Sequence, residues 1–282
     1  MKIVRTIPEL KKIVREVRKS GGTIGLVPTM GHLHQGHLSL VKAARSECDF
    51  VAVSIYVNPI QFGAGEDFEH YPRDLTTDAG LCREEGVDLI FSPSDRDMYP
   101  QGYDTYVLVE KLTRGLCGRG RPGHFRGVTT VVTKLFNLLE PDTAYFGQKD
   151  AQQALVLKKM AADLNMNLTL KIMPTVREAD GLAMSSRNTY LSSEERETAL
   201  VLYKSLNRAE ELILGGCRKG SKIIGAMEAI IFREPMAKLE YIEIADTTNL
   251  ETLEELKDEV LIALAVKVGK TRLIDNIIVE VQ

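Results

Sequence analysis

The sequence predicts an α/β protein with a mainly parallel sheet in an N-terminal domain, followed by a smaller α+β domain. Short apolar runs alternate with helix-period stretches through the first part of the chain, the order of a parallel sheet with crossover helices. Beyond residue 176 the texture changes: helices come first, then three long strand-like runs. The last two of these meet at Gly269-Lys270 and read as a hairpin. The expected domains are 1–175 and 176–282.

Each element follows from its pattern. The opening MKIVRTIPELKKIVREVRKSGG reads as an amphipathic charged helix, without the apolar region of a secretory signal. Residues 23–28 (TIGLVP), bounded by glycine and proline, read as a buried parallel strand, and a loop then leads to a helix over 38–48. A strand over 50–57 ends at Asn58-Pro59. A helix over 75–85 and a strand over 89–91 come next. Residues 128–139 give an amphipathic helix, 144–146 a strand, 152–164 a helix and 168–174 a strand. Ser192 with Glu195 forms a capping-box pattern heading a long helix that ends near Gly215-Gly216. A helix over 222–232 and strands over 239–245, 260–268 and 272–281 complete the chain.

Composition narrows the class. The 282 residues suit one large domain or two modest ones, and the 44% hydrophobic content supplies a sizeable core. A net charge of −3 lacks the basic surplus of a nucleic-acid binder. No apolar stretch approaches the roughly 18 residues of a membrane span. The four cysteines are far apart with no CxxC pair, which reads as free thiols in a reducing compartment. A soluble cytoplasmic protein is expected, with neither nucleic acid nor membrane as partner.

The chemistry concentrates in two loops. Met30, Gly31, His32, Leu33, His34, Gln35, Gly36 and His37 lie between the first strand and its helix, where backbone N–H groups and the positive helix end face a bound phosphate. His34 and His37, spaced as HxGH, can donate to a phosphate oxygen and stabilise charge growing during nucleotidyl transfer. The bland alternative is a polar loop with incidental histidines; a metal site would need further ligands that the loop lacks. Met184, Ser185, Ser186 and Arg187 offer two hydroxyls and a guanidinium for the β- and γ-phosphates. HxGH paired with this MSSR resembles the nucleotidylyltransferase superfamily, which includes class I aminoacyl-tRNA synthetases and carries a KMSKS-like second motif.

Further motifs narrow the resemblance: PTMG, YVNPIQF, YPRD, RPGHFRGV and FGQKDAQQ, in order. Together with HxGH and MSSR, this set resembles the pantothenate synthetase family across essentially the whole chain. That resemblance implies a Rossmann-like N-terminal domain, a smaller C-terminal lid domain and a homodimer. It implies ATP with Mg²⁺, pantoate and β-alanine as reactants, no metal site built from protein alone, and release of AMP and pyrophosphate. By position, His34 and His37 would contact ATP phosphates, with His37 as proton donor. Gln61 would contact both pantoate and β-alanine, and Gln153 pantoate. Gly147, Gln148, Lys149 and Asp150 would hold the nucleotide, Lys149 near the phosphates, and Val176 with Met184 to Arg187 would complete the ATP site. His32 and Gln148 depart from the family's commoner residues, a small or aromatic one and Glu.

The residue chemistry agrees. Gln61 and Gln153 each offer a donor and an acceptor to a hydroxy acid. Arg121 and Lys149 are cations suited to phosphate, and Asn58 is either a substrate contact or a turn former. Tyr71 reads equally as core or lid, and no general base for the amine stands out. Two enzyme rivals remain: a nucleotidylyltransferase that stops at AMP transfer, and a tRNA synthetase, which lacks a visible basic anticodon domain. A non-catalytic nucleotide-binding regulator is the third alternative.

Overall fold

The computed structural model describes residues 1–281. In chain order the first elements are β1 (Lys2–Val4), α1 (Ile7–Lys19), β2 (Ile24–Thr29), α2 (Gln35–Glu47), β3 (Phe50–Ile55), α3 (Leu75–Glu84), β4 (Leu89–Phe91) and α4 (Asp95–Met98). There follow α5 (Leu116–Gly120), α6 (His124–Leu139), β5 (Thr143–Gly147), α7 (Ala151–Asp163) and β6 (Thr169–Met173). The rest comprises α8 (Ser193–Ala199), α9 (Val201–Leu214), α10 (Gly220–Ile231), β7 (Ala237–Asp246), β8 (Glu259–Val268) and β9 (Thr271–Glu280).

Two compact units result. The first holds Met1–Thr113, Arg121–Gly147 and Gln153–Pro174; the second holds Arg114–Gly120, Gln148–Gln152 and Thr175–Gln282. The second thus includes two short segments that lie N-terminal to the expected boundary at 175/176.

The first unit is built on a parallel six-stranded sheet in the order β1-β4-β3-β2-β5-β6. Apart from β1, the chain runs outward from β2 through β3 to β4, then returns to the other side of β2 for β5 and β6. This is the doubly wound Rossmann-like order, with its topological switch between β2 and β5. Alternate residues explain why the strands read as continuous apolar runs. Ile24 and Leu26, Ala52, Leu89 and Phe91, Ala144 and Phe146 pack among residues of α1, α6 and α7. Val27, Val51 and Val53, Ile90 and Tyr145 pack instead among residues of α2 and α3. Both faces of the inner strands are covered, so these read as near-continuous apolar runs, while the edge strands β1 and β6 carry Lys2 and Lys171.

The second unit packs α8, α9 and α10 on an antiparallel sheet, β7-β8-β9. Ile262, Leu264 and Val266 of β8 join Leu202, Leu206, Ile223 and Met227 in its core.

Three expectations about elements are corrected. The opening is not one helix: Lys2–Val4 forms edge strand β1, paired with β4. Pro8 fixes the first turn of α1, because proline belongs at a helix start and not in its interior. The long helix after Ser192 is two helices. At Leu200 the N–H bonds back to Glu197 O, three residues away, and breaks the α-helical ladder. Helix α6 begins four residues before its first expected position, after Gly123 in the left-handed region (φ 83°).

Candidate active site

β2 ends at the switch point and delivers the HxGH segment directly into α2. Thr29 Oγ1 donates to Ser54 O (2.8 Å) and accepts from Gly31 N (3.1 Å). Gly31 turns left-handed (φ 84°), and a Cβ there would lie 2.9 Å from Asp78 Oδ2. His32 is also left-handed (φ 51°). Asp78, buried on α3, accepts His32 N (2.9 Å) and Leu33 N (2.8 Å), one with each carboxyl oxygen. Burial pushes that carboxyl above its usual range, against the pull of the two N–H groups.

The two histidines then cap α2. His34 is the N-cap, and its Nδ1 accepts Gly36 N (3.2 Å); His37 Nδ1 accepts His34 N (3.3 Å). A neutral imidazole that accepts at Nδ1 carries its proton on Nε2. Both rings are therefore set as Nε2–H donors, with centroids 4.1 Å apart. His37 lies within the first turn of α2, so only His32 and His34 of the three histidines sit in the loop.

Gln61 stands beside this loop on a short 3₁₀ turn, Pro59–Gln61. Its Nε2 approaches Met30 Sδ (3.1 Å), and its Oε1 accepts Asn58 Nδ2 (3.0 Å). Asn58 is 1% exposed and is engaged throughout: Nδ2 also donates to Gly127 O (3.1 Å), and Oδ1 accepts the Tyr99 hydroxyl (2.8 Å). Asn58 is thereby a buried brace for Gln61. Arg121 donates to both Glu66 oxygens at 2.6 Å. Gln153 is half-buried in the first turn of α7. Tyr71 is buried against Phe62, which places it in the core.

A cavity of about 320 Å³ lies behind the loop at the C-terminal ends of β3 and β4, lined by Gly31, Tyr56, Arg73, Asp78 and Asp95 among others. Arg73 donates to Tyr71 O and Phe68 O. The charged side chains of that lining are Arg73 against Asp74, Asp78 and Asp95, a set that does not favour an anion.

The second unit carries the remaining predicted residues except Gly147, which ends β5 in the first unit. Met184 N donates to Val176 O (3.0 Å) across a tight hairpin, bringing Val176 and Met184 together. At its tip Gly181 is left-handed (φ 97°), and a Cβ there would lie 2.0 Å from the Tyr203 ring. Ser185 N-caps the 3₁₀ turn Ser186–Tyr190, accepting Arg187 N (3.3 Å). Ser186 is buried and Arg187 half-buried. The Gln148–Asp150 turn is held by Asn276, whose Nδ2 donates to Gln148 O and Lys149 O, both at 2.9 Å. Gly147, Gln148 and Lys149 are half-buried and Asp150 is exposed. Next to Asn276, Asp275 pairs twice with Arg177 (2.6 and 3.0 Å), and Arg177 donates to Gly181 O (3.0 Å). Burial pushes the Asp275 carboxyl up, while Arg177 opposes the shift.

Sequence reasoning missed Asp78, His124, Asp275 and Asn276. Signals existed for two sites: Asp78 shares an inward helical stripe with Ala79 and Cys82, and Asp275-Asn276 interrupts the apolar run Leu273-Ile274 and Ile277-Ile278-Val279.

Comparison with known proteins agrees with this fold. Residues 2–278 match the family model described as pantoate-beta-alanine ligase. A pantothenate synthetase of Heliobacterium modesticaldum is 57% identical over 281 residues, covering 100% of both chains. One of Pelotomaculum thermopropionicum is 58% identical over 278 residues, covering 99% of each. The crystal structure of pantothenate synthetase from Thermus thermophilus superposes with a TM-score of 0.94 at 45% identity, covering 98% of this chain and 99% of that one. The pantoate-beta-alanine ligase of Francisella tularensis, solved with beta-gamma ATP and beta-alanine, gives 0.82 at 36% identity, covering 98% and 97%.

Proposed function

The chain belongs to the pantoate-beta-alanine ligase family, and from that premise we propose a two-step mechanism and a role for each site residue. The protein is an ATP-dependent ligase that condenses pantoate with β-alanine to give pantothenate. In the first step a pantoate carboxylate oxygen attacks the α-phosphorus, the bond to the bridging oxygen breaks, and pyrophosphate leaves. In the second the neutral β-alanine nitrogen attacks the acyl carbon, the amide forms, AMP leaves and the amine loses a proton.

One observation carries the assignment of the first step. Main-chain N–H groups occupy Nδ1 of both His34 and His37, which makes Nε2 the donor nitrogen of each ring at the head of α2. Such preset donors stabilise charge that grows on phosphate oxygens without reorganising during reaction. The helix end adds its dipole. Met30 and Gly31 shape the loop, and His32, Leu33, Gln35 and Gly36 complete it. Lys149 supplies a cation to the phosphates; Gly147, Gln148 and Asp150 bind the nucleotide. Val176, Met184, Ser185, Ser186 and Arg187 contribute the second phosphate-binding segment. Gln61 holds both pantoate and β-alanine, Gln153 holds pantoate, and Arg121 and Asn58 support that site.

Among the described residues no group of three or more His, Cys, Asp or Glu side chains is placed to hold a metal ion. We take Mg²⁺ to arrive with ATP, bound chiefly by phosphate oxygens and water. It would supply charge neutralisation of the phosphates. No helix among the described residues is long and apolar enough to cross a membrane, and all four cysteines are free thiols. These features support a cytoplasmic location. The family resemblance supports a homodimer, and light scattering that returned a monomer mass would remove that element.

The experiment is a product balance with ATP, pantoate and β-alanine. Pantothenate, AMP and pyrophosphate should appear in equal amounts. Formation of ADP, or ATP consumption indifferent to pantoate, would contradict the reading.

A further inference from the structure

Residues 121–128 (RPGHFRGV) contain more ordered chemistry than the role of Arg121 uses. The geometry points to His124 as a positioning residue for Gln61, acting through the Gln61 main-chain carbonyl. This rests on the reading of Gln61 as the contact for both pantoate and β-alanine.

His124 Nδ1 lies 2.8 Å from Gln61 O, and Arg121 NH1 lies 3.0 Å from His124 Nε2. A guanidinium can only donate, so Nε2 is the acceptor. The ring proton then sits on Nδ1 and is donated to the Gln61 carbonyl, the one tautomer that satisfies both contacts. Arg121 is itself fixed by two bonds to Glu66. Burial raises the Glu66 carboxyl, but the hydrogen bond and charge of Arg121 outweigh it and leave Glu66 below its usual range. Glu66, Arg121 and His124 form a chain of charge-assisted and neutral bonds ending on the turn that carries Gln61.

The rest of the segment serves the same turn. Gly123, left-handed, starts α6 one residue before His124. A Cβ on Gly127 would lie 2.6 Å from both Gln61 Cα and Ile60 O, so α6 seats directly on the turn. Gly127 O accepts Asn58 Nδ2, the same amide that holds Gln61 Oε1. The main chain of Gln61 is thus fixed by His124 and its side chain by Asn58.

The test compares His124→Asn, His124→Gln and His124→Phe with Gln61→Ala. Asparagine places its amide N–H near the ring's Nδ1, whereas glutamine places it near Nε2. Loss of the bond to Gln61 O should raise KM for pantoate and β-alanine about three- to tenfold in the Phe and Gln variants, the scale of one hydrogen bond. KM for ATP should stay within about twofold, and His124→Asn should restore most of the loss. If His124→Phe does not fold, the Asn and Gln pair decides, and equal KM values in the two overturn the inference. A rise in all three KM values together, not recovered by Asn, would also overturn it and leave His124 as general scaffold. If Gln61→Ala raises both KM values while the Phe and Gln variants do not, the inference fails and the reading of Gln61 stands. If Gln61→Ala changes neither, that reading fails and takes this inference with it.

Discussion

A neutral imidazole donates from one nitrogen only, and the main chain around His34 and His37 selects which. Their Nδ1 atoms take N–H groups from Gly36 and His34. The same contacts make His34 the N-cap of α2, so helix initiation and donor orientation are one arrangement. His37→Ala should lower the single-turnover adenylation rate by about 10²–10³, with a smaller loss in ATP affinity. For His34 the cap must be separated from the chemistry. His34→Asn keeps a good N-cap and removes the imidazole, so it should lose as much rate as His34→Ala but less stability, a cap being worth about 1 kcal/mol. Rapid-quench assays alongside thermal melts check both, and near-normal adenylation in His34→Asn would contradict the role. The HxGH spacing was visible in the sequence because its partners are local. Asp78 was not, because the N–H groups it holds lie 45 and 46 residues away and the contact exists only once α3 packs beside α2 and its leading loop.

Among the elements, the inner strands of the first unit were legible because both faces are buried, so apolar character runs along them. Three-residue β1 was not, since Lys2–Val4 acquires its strand conformation by pairing with β4. The hairpin from Val176 to Met184 shows a different dependence. Gly181 supplies its turn, but its rigidity comes from Arg177, which Asp275 on β9 holds in place. Gly181→Ala should disrupt it twice over: φ of 97° disfavours any L side chain, and the new Cβ would strike Tyr203. The expected cost is about 1–3 kcal/mol of strain, read as a lower melting temperature with a raised KM for ATP. Adding Tyr203→Ala should recover the steric part alone. A melting curve and KM for ATP matching those of the parent protein would show that the hairpin does not need glycine.

For the molecule as a whole, the sequence separated a parallel α/β unit from a C-terminal α+β unit, and the two sheets have those topologies. Two segments show why a boundary is harder to read than a fold. Gln152 accepts Cys117 N and donates to Gly115 O, while Asn276 holds Gln148 and Lys149. These pairings tie Arg114–Gly120 and Gln148–Gln152 to the second unit, and no composition change marks them in the chain. The candidate residues are correspondingly divided. HxGH and Gln61 belong to the first unit, and Lys149 and MSSR to the second.

The central claim, that ATP is attacked at the α-phosphorus by pantoate before the amine takes part, is tested most directly by isotope exchange. With ATP, Mg²⁺ and pantoate but no β-alanine, labelled pyrophosphate should enter ATP, because the first step is reversible and does not need the amine. Without pantoate, exchange should be negligible. With β-alanine added and ¹⁸O in the pantoate carboxylate, one labelled oxygen should appear in AMP. Pantothenate formed with AMP that never carries the label would contradict the acyl adenylate while leaving the family membership intact.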